Sequence, residues 1–113
     1  MFIDNDTRLR HILDAAREAV LFAQDKTRSD LNTNRMLTLS LVKCIEIVGE
    51  AAANITRERQ DELPQIPWPQ IIGMRNRLIH AYFEVNLDIV WDVVTDNLPP
   101  LITELEKIIP SEQ

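Results

Sequence analysis

The sequence predicts an all-α protein, an up-and-down bundle of four to five helices. Three observations point there. Apolar residues recur at i, i+3, i+4, i+7 over long segments. The chain has only two glycines and 5% aromatic residues, which argues against a β-sandwich. Strong helix formers fill the intervals between the apolar positions. With 113 residues, 45% of them hydrophobic, the chain is expected to form one domain, 1–113, with a real core.

The first helix is expected over 4–25. Ile12, Ala15, Ala16, Ala19, Val20 and Ala23 form its apolar stripe, and Asp4 or Asp6 can cap it. His11 reads as a surface or packed residue rather than a ligand. Lys26 to Asn34 is rich in turn and cap residues and reads as a polar connection, part of it a helical lead-in. The second helix, about 35–55, is apolar around most of its axis and reads as the central, most buried one. Its polar stripe is Lys43, Glu46, Glu50 and Asn54. One reading makes this stripe a solvated face; the other sets Glu46 or Glu50 against Arg75 or Arg77 to orient it. Gly49, costly in mid-helix, permits close helix approach, and Cys44 reads as core.

Thr56 to Leu63 fits a short helix stopped by Pro64. Trp68 and Pro69 suit the start of the next, about 68–80, with Trp68 as a packed anchor. The last helix is expected from Asn86 to about Ile109, kinked or divided at Pro99 and Pro100, which lack an N–H, and ended by Pro110.

Several classes of function are disfavoured. Cys44 is the single cysteine, so no intrachain disulfide forms. The N-terminus is charged within four residues, unlike a signal peptide, and no apolar run approaches the roughly 20 residues of a membrane span. The expectation is a cytoplasmic protein without a membrane segment. The net charge of −6 argues against a large nucleic-acid footprint, though not against a small RNA site. No histidine or cysteine pair has metal spacing and there is no Gly-rich phosphate loop, so no metal and no cofactor are expected.

The most informative stretch is Gly73 to Phe83. It holds Arg75, His80 and Tyr82, three side chains able to act on a phosphate, within eight residues. On a continuous helix His80 would lie roughly 140° from Arg75, at about 100° per residue. Backbone geometry alone therefore does not bring them together. Either the helix ends near His80 or a second chain completes the site. Val85, the capping residue Asn86 and Asp88 favour an ending: a bend over Tyr82 to Val85, then a new helix, with His80 at a helix C-terminus where carbonyls favour an imidazolium.

Arg75, four residues, His80, Ala81, Tyr82 resembles the signature of the HEPN superfamily. The stretch Cys44-Ile45-Glu46-Ile47-Val48-Gly49-Glu50-Ala51-Ala52 is similar to the second helix of its HepT-like branch, and the likeness covers most of the chain. The resemblance implies a homodimer with its site at the interface. It also implies a ribonuclease toxin of a type VII-like toxin–antitoxin pair, whose partner is an MntA-like nucleotidyltransferase antitoxin. Tyr82 then matches the tyrosine to which that partner adds AMP. Arg75 suits charge stabilisation and His80 acid/base chemistry, with Asn76 and Arg77 in support. RNA suits cleavage without a metal because its 2′-OH is a built-in nucleophile. One chain supplies one motif histidine, so acid and base cannot both be His80 of one subunit; a two-fold dimer supplies two. The alternative function is a non-catalytic helical module that binds a nucleotidyltransferase or a nucleotide.

Overall fold

The computed structural model describes residues 3–81 and 84–110, with the backbone alone at Ile79, His80, Ala81 and Glu84. The bundle is all-α apart from one very short hairpin. Helix α1 spans Asn5–Ala23. Its cap is Asp4, whose carboxylate accepts the Thr7 N–H at 2.8 Å. That bond holds the Asp4 carboxyl below its ordinary range. Leu9, Ile12, Ala16 and Ala19 bury one face of α1, and the small Ala16 and Ala19, both fully buried, let a neighbouring helix come close.

That neighbour is α3, Arg35–Ala53, reached through the one-turn α2, Asp30–Thr33. Asn34 caps α3 by accepting the Leu37 N–H at 3.0 Å. Leu41, Ile45, Val48 and Ala52 are wholly buried, at the spacing that makes one continuous inner face. The expectation that α3 is buried nearly all round is corrected on its other side. Met36 is 81% and Leu39 51% exposed, because no described element covers that face.

Helix α4, Arg57–Glu62, is capped by Thr56 and tied to the start of α1 by paired Asn5–Thr56 hydrogen bonds of 3.0 and 3.1 Å. Trp68 is the expected anchor. It is buried, and its indole N–H is shared between the carbonyls of Gln60 and Leu63, both at 3.1 Å.

The helix expected over 68–80 is not continuous. It divides at Gly73 into α5, Trp68–Ile72, and α6, Met74–Leu78. Gly73 keeps right-handed backbone, φ −85° and ψ −2°, so the chain turns without reversing. Past Leu78 the backbone extends. Strand β1, Ile79–Ala81, pairs antiparallel with β2, Glu84–Val85, and the Leu78 carbonyl accepts the Asn86 N–H at 2.6 Å to close the hairpin's base. His80 therefore lies in a strand, not at a helix C-terminus. Part of the expected bend is likewise strand, while Tyr82 and Phe83 lie outside the described residues.

Asn86 caps α7, Leu87–Asp92, by accepting the Ile89 N–H at 3.1 Å. A π-helical turn, Val93–Asn97, then leads into α8, Leu98–Ile108. The prolines do divide this run, and the wide turn shows how. Pro99 and Pro100 lack the N–H that would bond four residues back, and their rings would crowd those carbonyls in a regular α-helix. Val90, Val93, Val94, Leu98 and Leu105 return this last segment to the core. Among the described residues no helix is long and apolar enough to cross a membrane.

Candidate RNA-cleaving site

The site is built on α6, a five-residue helix on which Arg75, Asn76 and Arg77 are consecutive and exposed. Met74 and Leu78 on the opposite side are 1% and 0% exposed and pin the helix to the core. The polar crest is thus forced outwards by its own flanking residues.

The two arginines diverge. At about 100° per residue they point to opposite flanks of α6. Arg75 turns to α3, where its Nε lies 3.3 Å from Glu46 Oε2. Arg77 turns to the π-helical turn, where its Nη2 donates to Asn97 Oδ1 at 3.2 Å. One arginine therefore has a charged partner and the other a neutral one. The Glu46 carboxylate offsets the field of Arg75, and the Asn97 amide does not offset that of Arg77. At 53% and 31% side-chain exposure the Arg75–Glu46 pair is well solvated, so it orients more than it stabilises. Of the two readings of the α3 polar stripe, contact with the motif holds for Glu46.

His80 enters two residues beyond α6. The pairing aligns Ile79 with Val85 and Ala81 with Glu84, so β1 advances two residues while β2 advances one. The irregularity falls at His80, as in a β-bulge, a device that bends a strand and is frequent beside active sites. The bulge and the ending of α6 at Leu78 are what separate His80 from the helical register of Arg75. Tyr82 lies outside the described residues.

Sequence reasoning missed Asn97 altogether. Its signal is weak, a polar residue two positions before a Pro-Pro pair. Among the described residues there is no group of three or more His, Cys, Asp or Glu able to hold a metal ion. Cys44 packs in the core, where burial, with Glu18 nearby, pushes its thiol up to about 11. An apolar groove of about 670 Å³ runs between α1 and α7–α8, past Val20, Leu21, Trp91, Val94 and Ile102, and includes no motif residue.

Comparison with known proteins agrees with the resemblance carried by the motif. A putative RNase of Methanocaldococcus jannaschii is 31% identical over 98 residues, covering 87% of this chain and 90% of its own. A putative RNase of Caldanaerobacter subterraneus subsp. tengcongensis is 32% identical over 105 residues, covering 93% of this chain and 94% of its own. A protein of Thermococcus cleftensis named "Probable ribonuclease HepT" is 32% identical over 100 residues, covering 85% of this chain and 91% of its own. No solved structure matches the chain. The family described as "HepT-like: Ribonuclease HepT-like" matches residues 12–108, a span that takes in α3, α6 and the hairpin, and the chain belongs to that family.

Proposed function

We propose that this chain is a metal-independent endoribonuclease, the toxin of a toxin–antitoxin pair, with Arg75 and His80 as its catalytic residues. The observation that supports it most is the junction itself. An exposed arginine on a core-pinned helix leads directly into a hairpin whose irregular position is the motif histidine. In the reaction the 2′-oxygen attacks phosphorus and loses its proton to a base. The bond from phosphorus to the 5′-oxygen breaks, and an acid protonates that oxygen. The product is a 2′,3′-cyclic phosphate with a free 5′-OH. Arg75 offsets the charge that grows on the non-bridging oxygens, and His80 of each of two subunits supplies base and acid.

The open face of α3 suits a second copy. Met36, Leu39, Lys43, Ile47 and Glu50 line its outer side, and Lys43 and Glu50 are equally far from the midpoint between Glu46 and Ile47. Antiparallel contact about that midpoint sets each Lys43 against Glu50 of the partner subunit. It also draws the two Arg75–Glu46 pairs towards one axis. Light scattering should give a dimer, and a fully active monomer would contradict the shared site.

Cleavage is tested in EDTA with wild type and His80→Ala. Wild type should leave 2′,3′-cyclic phosphate ends and the variant should lose activity. A strict need for added magnesium would refute the mechanism. Control by AMP transfer to Tyr82 follows the same reading. An added AMP brings a negative phosphodiester beside the motif, where it competes with substrate phosphate. Incubation with ATP and a partner nucleotidyltransferase should add AMP mass to wild type and none to Tyr82→Phe; equal gains would place the modification elsewhere.

A further inference from the structure

We infer that Glu46 is the positioning residue for Arg75, and that Gly49 sets the helix separation their contact requires; the inference rests on Arg75 acting on substrate, as proposed above. Two separate features of α3 converge here. Glu46 Oε2 lies 3.3 Å from Arg75 Nε. One turn further on, Gly49 faces the end of α5, where an added Cβ would stand 3.4 Å from the Ile72 carbonyl oxygen and 3.5 Å from that of Ile71. A methyl group there would just reach van der Waals contact, and any longer side chain would push α5 away. Because α6 follows α5 after the single residue Gly73, a shift of α5 carries Arg75 with it.

The chemistry of the contact fits orientation. A guanidinium has five N–H groups, one on Nε and four on the terminal nitrogens. A carboxylate on Nε fixes the plane of the group and leaves both terminal nitrogens for two oxygens of one phosphate. Glu46 is 31% exposed, less than the arginine it contacts, which is 53% exposed. Among the described residues Arg77 has the neutral Asn97 as its partner and no carboxylate anchor. Positioning matters because a misplacement of about 1 Å can lower a rate by roughly a hundredfold.

The test compares Glu46→Ala, Glu46→Gln, Gly49→Ala and Gly49→Leu with wild type. It uses steady-state cleavage of an RNA oligonucleotide and solvent exchange of the Arg75 Nε–H followed by NMR. Glu46→Ala should lower kcat roughly tenfold to a hundredfold, change KM less than about twofold, and speed Nε–H exchange. Glu46→Gln keeps an oxygen acceptor for the same N–H and should recover most of the rate. Gly49→Ala should stay close to wild type, and Gly49→Leu should behave like Glu46→Ala. Unchanged kcat in Glu46→Ala, with Arg75→Ala inactive, would overturn the inference and leave the nuclease reading standing. A lower KM at unchanged kcat would also overturn it, since Glu46 would then be a competitor for the phosphate site. If Arg75→Ala cleaves as fast as wild type, the catalytic role of Arg75 fails, and with it the reading on which the inference rests. The exchange rate still decides whether Glu46 holds Arg75.

Discussion

The α1–α3 pair and the stretch from Trp68 to Asn97 are built on opposite plans. The first is two helices of 19 residues each, capped by Asp4 and Asn34 and joined along an unbroken apolar face. The second is a succession of short pieces: α5 and α6 of five residues, a hairpin with an irregular register, α7 of six, and a π-helical turn. Every residue proposed for chemistry comes from the second plan, and it is anchored on the first through Glu46. Long helices cannot put residues five apart in sequence on one flank, and a broken segment can. On the proposed reading the difference separates stability from activity, and single substitutions should show it.

The largest effect is expected inside the pair. Ile45 is wholly buried, and Ile45→Ala should cost about 2 to 5 kcal/mol in urea unfolding, with cleavage per folded molecule retained. Loss of cleavage at full folding would mean that core and site are not separable. Next comes Cys44. Its thiol is raised to about 11 from an unfolded value of 9.0, so the neutral form is favoured by folding. Its contribution is complete below pH 9 and disappears as pH rises towards 11, a loss on the order of 2 kcal/mol. Iodoacetamide at pH 8 should label Cys44 only at the rate of unfolding, and rapid labelling of native protein would contradict its burial.

Smaller effects belong to the ends of elements. Asn86→Ala removes the cap of α7 beside the hairpin and should cost about 1 kcal/mol, with faster hydrogen exchange at Leu87 to Ile89. Exchange that stays slow there would show that the hairpin needs no cap to hold its register. Asp25 follows α1 with φ 63°, in the left-handed region, and its negative charge opposes the helix dipole. Asp25→Asn keeps a residue tolerant of that conformation and removes the charge. It should raise stability by about 0.3 to 1 kcal/mol in thermal unfolding.

The two plans also differ in how far they are legible in sequence. The pair follows periodicity, so α1 and α3 fall close to their expected bounds, and the caps at Asp4 and Asn86 follow from residue chemistry. The break at Gly73 is harder to read, because its backbone remains right-handed. The strands of three and two residues depend on a bond between distant backbone groups, Asn86 N–H to the Leu78 carbonyl, which no local pattern announces. Glu46 could be read only as one of two candidates on a polar stripe. Gly49, three residues on, is the sequence signal that another helix approaches this part of α3. Asn97 meets Arg77 across a π-helical turn that helical periodicity does not predict.

The claim that activity resides in the broken segment, apart from the core, is tested most directly with Arg75→Ala. One preparation should be measured twice, for its melting temperature and for its single-turnover rate on an RNA oligonucleotide in EDTA. The side chain is 53% exposed, so Tm should move by no more than about 2 °C, since surface changes stay within about 0.5 kcal/mol. The cleavage rate should fall by roughly a hundredfold or more. An unchanged rate would contradict the account, and so would a loss of rate accompanied by a large fall in Tm.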